Sequence, residues 1–113
     1  MHEVGITRSI IEICEDNARR HGARVVRSVT VEIGDLPGVV PEAVEFCFDA
    51  CSKGTLLEGA QLIIERVPAL GRCTQCHTEH PLEATTFSCP SCDSFSLQRL
   101  QGDELKVKEM EID

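Results

Sequence analysis

Two Cys-x-x-Cys pairs, Cys73-Thr-Gln-Cys76 and Cys89-Pro-Ser-Cys92, constrain this chain more than any other feature, and twelve residues separate them. Each pair bends a tight turn and aims two thiolates at one point. Four thiolates closing a tetrahedron suit structural Zn²⁺, whose filled d shell imposes no other geometry. A segment this short cannot bury enough apolar surface to fold alone. Zinc binding, worth on the order of 10 kcal/mol or more in small modules, takes the place of a core.

Other uses of these cysteines fit less well. Cys73-Thr-Gln-Cys76-His77 also matches the c-type haem pattern. Haem attachment needs export, the chain opens without an apolar signal segment, and the second pair would have no task. Cys89-Pro-Ser-Cys92 resembles a thioredoxin-like redox pair, but its polar flanks lack the strand and helix of a βαβ unit. Two disulfides fit poorly with a reducing compartment. Seven cysteines leave three outside the zinc set, and unpaired thiols point to the cytoplasm.

Charge narrows the partners. A net charge of −8 lacks the clustered Lys and Arg that phosphate contacts require, so nucleic acid is not expected. No apolar run approaches membrane-spanning length. Trp and Tyr are absent, which weakens the case for an aromatic interface. Four cysteines would fill the zinc shell and leave no open position for hydrolysis. The chain is therefore not expected to be an enzyme. A protein-binding zinc-ribbon adaptor is the alternative reading.

Hydrophobic periodicity orders the rest. Residues 4–21 predict an amphipathic helix on Ile6, Ile10, Ile13 or Cys14, and Asn17 or Ala18, with Gly22 as C-cap. Val29, Val31 and Ile33 alternate with polar residues in a strand over 25–33. Pro41 opens a second helix, with Val44, Cys47, Phe48 and Cys51 as its buried stripe. Strands follow at 60–67 and 104–112. In the last, Leu105 and Val107 have opposite parity to Met110 and Ile112, which predicts a bulge near Glu109.

The expected fold is α+β: a three-stranded sheet with two helices on one face, plus an inserted zinc-ribbon-like module built on four cysteines. Residues 1–68 and 101–113 would form one discontinuous domain, with residues 69–100 as the zinc module. Cys14, Cys47 and Cys51 would pack in the core as small hydrophobes. His21 reads as a helix-end cation, and His80 as solvated or a donor near zinc.

The first residues, Met1-His2-Glu3, are a second candidate site. An α-amine, an amide nitrogen and an imidazole lie within one short chelate. Ni²⁺ or Cu²⁺ favours such a planar nitrogen array. Met-His-Glu, Val31-Glu-Ile-Gly34, Glu45-Phe-Cys-Phe48, the two Cys pairs and Met110-Glu-Ile-Asp113 occur in this order. Together they resemble the HypA/HybF family of hydrogenase-maturation nickel metallochaperones across essentially the whole chain.

The resemblance implies a carrier of Ni²⁺ to the large-subunit precursor of [NiFe] hydrogenase, working with the GTPase HypB; some members also serve urease. Met1 would supply its amine, His2 its amide and imidazole nitrogens, and Glu3 an amide or carboxylate. Cys73, Cys76, Cys89 and Cys92 would hold zinc. Two positions depart from the pattern. Where some members place an acidic residue near nickel, this chain has Val40, and Glu42 could serve only if the loop shifted. Some members follow both Cys pairs with histidine; here His77 follows the first but Asp93 the second.

Overall fold

The computed structural model describes residues 2–83 and 85–113, with the main chain alone for His2. The elements are α1 (His2–Arg20), β1 (Val26–Gly34), α2 (Pro41–Ser52), β2 (Gln61–Val67), β3 (Leu70–Cys73), β4 (Glu79–Pro81), β5 (Leu97–Gln101) and β6 (Leu105–Ile112). They form two three-stranded sheets, ordered β2-β1-β6 and β4-β3-β5. The molecule is elongated, 54 × 28 × 16 Å.

The first helix begins at His2, earlier than periodicity alone indicates. Its apolar stripe runs through Thr7, Ile10, Ile11, Cys14 and Ala18, all buried. Between the two adjacent candidates the helix turns Cys14 inward and leaves Ile13 53 % exposed. Thr7 lies within the stripe because its hydroxyl donates to the Glu3 carbonyl at 2.5 Å, so that buried hydroxyl is not orphaned. The helix ends in a Schellman motif: Ala23 N–H donates to Ala18 O at 2.9 Å and Gly22 N–H to Arg19 O at 3.0 Å. That closure puts Gly22 at φ +71°, where a glycine pays no Cβ penalty.

β1 is the central strand. It pairs in parallel with β2, the connection passing through α2, and antiparallel with β6. Val29, Val31 and Ile33 are buried beneath the helices. Two bulges set which residues share that face. One at Arg27 lets Val26 join Val29 on the core side. The other lies at Lys108, where Thr30 faces Glu109 but Val31 faces Val107. It rotates Met110 and Ile112 onto the face of Val107, and all three pack against the core. The parity break in the sequence thus marks the bulge, one residue from Glu109.

The expected α2 stripe is only partly buried. Val44 and Phe48 are in the core, while Cys47 and Cys51 are half-buried at its margin. Val44 and Phe48 belong to the core cluster and Cys51 packs against it, whereas Cys47 is not among the residues of that cluster. Leu105 is exposed although its parity matches Val107, because it sits at the start of β6.

The two sheets meet where the chain enters and leaves the cysteine segment. Gly34, Gly102 and Ala69 stack with no room for side chains. A Cβ on Gly34 would lie 2.0 Å from the Gly102 carbonyl oxygen, and one on Gly102 would lie 2.5 Å from Ala69 Cα. Gly34 N–H donates to Glu104 O at 2.7 Å and Leu36 N–H to Gly102 O at 2.9 Å. The Gln101 side chain donates to Pro68 O at 2.8 Å. Backbone approach this close is available only to glycine.

Candidate metal centre

The four paired cysteines converge as their spacing predicts. The sulfurs of Cys73, Cys76, Cys89 and Cys92 all lie within 4.8 Å of one another. Cys73 Sγ and Cys92 Sγ are 3.5 Å apart, and Cys76 Sγ and Cys89 Sγ 3.6 Å. A tetrahedral ion with bonds of ~2.3 Å to sulfur requires edges of about 3.8 Å, so a small rearrangement seats Zn²⁺.

The two loops repeat one local structure. In the first, Cys73 N–H donates to Thr78 O at 3.0 Å and His77 N–H to Cys73 O at 2.9 Å. In the second, Cys89 N–H donates to Ser94 O at 2.8 Å and Asp93 N–H to Cys89 O at 2.8 Å. His77 and Asp93 both adopt positive φ, 65° and 62°. His and Asp are among the few side chains enriched there. The second loop therefore needs no histidine after its pair: Asp93 does the same backbone work as His77.

Amide donors tune the sulfurs. Cys76 N–H, with help from Gln75 N–H at 3.4 Å, holds the Cys73 thiol below its ordinary range. Burial pushes the Cys89 thiol up, but the Ser91 and Cys92 amides and the Thr78 hydroxyl together outweigh it and bring it down to about 6. The Ser94 amide draws the Cys92 thiol down, but the sulfurs of Cys73, Cys76 and Cys89 and burial together outweigh it, and it is pushed up to about 12. Without a cation, four thiolates cannot share this point, and a divalent ion removes the conflict. His80 does not bond the sulfurs: its Nδ1 lies 3.2 Å from Pro81 O, and its buried Nε2 has no hydrogen-bond partner among the described residues.

At the N-terminus, Met1 and the side chain of His2 lie outside the described residues. Glu3 stands in the first turn of α1, where its carboxylate accepts from Val40 N–H at 3.5 Å. Its own amide first, and then the Val40 amide, hold this carboxyl below its usual range. The 35–40 loop thus reaches the helix start with an amide of Val40. Glu42 lies in the first turn of α2, exposed. Beside Glu3 opens a shallow pocket of about 330 Å³, lined by Ile6, Pro37, Gly38, Val39 and Leu105. The resemblance puts position 40 near the nickel residues; what it does not show is that Val40 meets Glu3 through its main-chain N–H. No helix among the described residues is long and apolar enough to cross a membrane.

Comparison with known proteins agrees with this geometry. A family profile described as "Hydrogenase/urease nickel incorporation, metallochaperone, hypA" matches residues 1–112. The hydrogenase maturation factors HypA of Geobacter metallireducens and Geotalea uraniireducens are 53 % and 54 % identical to the chain, and each alignment covers all of both proteins. In structure, the chain is similar to the solution structure of the Ni metallochaperone HypA from Helicobacter pylori. The TM-score is 0.69 at 23 % identity, over 97 % of this chain and 96 % of that one. A second solution structure, of HypA protein, gives a TM-score of 0.72 at 24 % identity over 99 % and 96 %. A cluster of four cysteines, two small sheets with two helices, and a full-length match at half identity lead to one conclusion: the chain belongs to the HypA family of nickel metallochaperones for hydrogenase maturation.

Proposed function

We propose that this protein lends Ni²⁺ from its N-terminus while a permanent Zn²⁺ holds Cys73, Cys76, Cys89 and Cys92. Residues 1–68 and 101–113 act as the nickel-binding unit and residues 69–100 as the zinc unit. The return of β6 to β1 across the inserted sheet supports that division. Met1 supplies its amine, His2 its amide and imidazole, and Glu3 its amide or carboxylate. The carrier works in the cytoplasm without catalysing a reaction. It meets the GTPase HypB and hands nickel to the large-subunit precursor of a [NiFe] hydrogenase.

The observation that carries this reading is a helix that starts at His2. His2 and Glu3 stand in the first turn of this helix, whose N–H groups have no partner within the helix, so no helical hydrogen bond must break for an amide nitrogen to face a metal. Amine, amide and imidazole nitrogens suit Ni²⁺, and closed thiolate shells suit Zn²⁺. Different ligand chemistry keeps the two ions from exchanging places. The nitrogen ligands also compete with protons, which gives a route to release.

The test is a Ni²⁺ titration of zinc-loaded, untagged protein against His2→Ala and a form with a blocked α-amine. Both changes are expected to remove the tight binding step and its absorption bands while leaving zinc content intact. Unchanged affinity and spectrum in His2→Ala would place nickel elsewhere.

A further inference from the structure

Three cysteines lie outside the zinc set, and two of them share one helix face. Cys47 and Cys51 stand one turn apart on α2, both free and both half-buried. Side chains at i and i+4 of a helix are neighbours, with about 5–6 Å between Cβ atoms. That is too wide for a disulfide, which needs Cβ atoms about 3.5–4.5 Å apart. It suits two sulfurs closing on a single ion between them. Among the described residues neither thiol makes a hydrogen bond, so neither is committed elsewhere. Cys51 also borders an open pocket of about 370 Å³ between the two helices, lined on the α1 side by Arg8, Ile11, Glu12 and Glu15.

We propose that Cys47 and Cys51 form a two-coordinate site for Cu(I), separate from the four-cysteine centre and from the N-terminus. Three features select this ion. Soft thiolate ligands favour Cu(I) over hard divalent cations. Zn²⁺ needs four ligands, and among the described residues the only group of three or more metal-binding side chains is Cys73, Cys76, Cys89 and Cys92. A monovalent d¹⁰ ion is satisfied by two sulfurs in line. The charge beside Cys51 also draws a cation and repels an anionic thiol reagent, because Glu12 and Glu15 outnumber the guanidinium of Arg8. Glu15 is not a competing ligand: its carboxylate accepts from Leu56 N–H at 2.9 Å and pairs with Arg19 at 3.4 Å. Rotation about χ1 brings the two sulfurs to the ion while α2 keeps its main-chain bonds. Each thiol gives its proton to water as its sulfur takes the ion, and copper stays Cu(I) throughout. One consequence rests on the proposed nickel chelate, although the site itself does not. Copper is drawn to sulfur on α2, and the amine, amide and imidazole nitrogens are left to Ni²⁺.

The test is an anaerobic Cu(I) titration of the zinc-loaded, untagged full chain against a chromophoric Cu(I) chelator, with a zinc indicator present. The first equivalent is expected to bind without releasing zinc. X-ray absorption at the copper edge should then show two sulfur neighbours and no nitrogen. Cys47→Ser and Cys51→Ser should each weaken this step by more than about a hundredfold, since losing a ligand costs more than losing a group that merely orients one. Both residues are half-buried, so zinc content and helical circular dichroism should match the wild type in each variant. His2→Ala should leave copper binding unchanged. Zinc release from the first addition overturns the proposal. So does a copper affinity indifferent to both serine variants, or one lost in His2→Ala. Nickel uptake by the same protein is read separately, by Ni²⁺ titration.

Discussion

The crossing of Gly34, Gly102 and Ala69 offers the sharpest test of how the inserted segment is joined to the first sheet. Three glycine-to-alanine changes separate two costs. Gly22→Ala adds only backbone strain, since φ is +71° and nothing lies within 4 Å of the new Cβ. About 1–2 kcal/mol is expected. Gly34→Ala adds only crowding, because its new Cβ meets Gly102 O at 2.0 Å and Asp103 N at 2.8 Å. These are main-chain atoms, so relief requires the crossing itself to open by more than ~1 Å. Overpacking costs about 1–3 kcal/mol. Loosening the bonds from Gly34 N–H to Glu104 O and from Leu36 N–H to Gly102 O adds about 1 kcal/mol each.

Gly102→Ala combines both costs, with φ +117° and Ala69 Cα at 2.5 Å, and about 2–6 kcal/mol is expected. Urea unfolding of zinc-loaded protein reads these differences directly. With slopes of about 1–3 kcal/mol/M, the Gly34 and Gly102 variants should lose roughly 1–2 M in midpoint. Both variants open the same crossing, so the double variant should cost less than their sum. Zinc content should not change, since each cysteine loop holds itself by its own amides. If Gly22→Ala costs as much as Gly34→Ala, close main-chain packing is not what joins the two sheets.

Two further outcomes follow from the sulfur environments. Zinc uptake by metal-free protein at pH 7 should release fewer protons than the four a set of ordinary thiols would give, because Cys73 and Cys89 are already lowered, the latter to about 6. Cys92, near 12, must still give up its own. A pH indicator measures the number, and release of all four would contradict the amide tuning. Burial pushes the Cys14 thiol up to about 11 from an ordinary 9.0. Its folded-state value is raised, so its contribution to stability is complete below pH 9 and is lost as pH rises toward 11. Stability measured across that window should decline less steeply in Cys14→Ala, and native Cys14 should resist alkylation at pH 8.

What can be read from residues alone here is whatever depends on near neighbours in the chain. The four-cysteine cluster is of this kind: two Cys-x-x-Cys turns bring each pair of sulfurs together by local geometry, and the folded chain needs only to appose them. The helix and strand spans follow period and parity, and the parity break between Val107 and Met110 even locates a bulge. Tertiary structure decided the rest. Cys47 and Cys51 lie half-buried at the margin, while Val44 and Phe48 of the same stripe are in the core. Asp93 proved equivalent to His77 through main-chain conformation, which no side-chain pattern displays. The parallel pairing of β1 with β2, the bond from Val40 to Glu3, and the crossing of Gly34 against Gly102 join segments distant in sequence. Such contacts depend on main-chain groups that every residue carries, so composition and spacing are silent about them until the chain has folded.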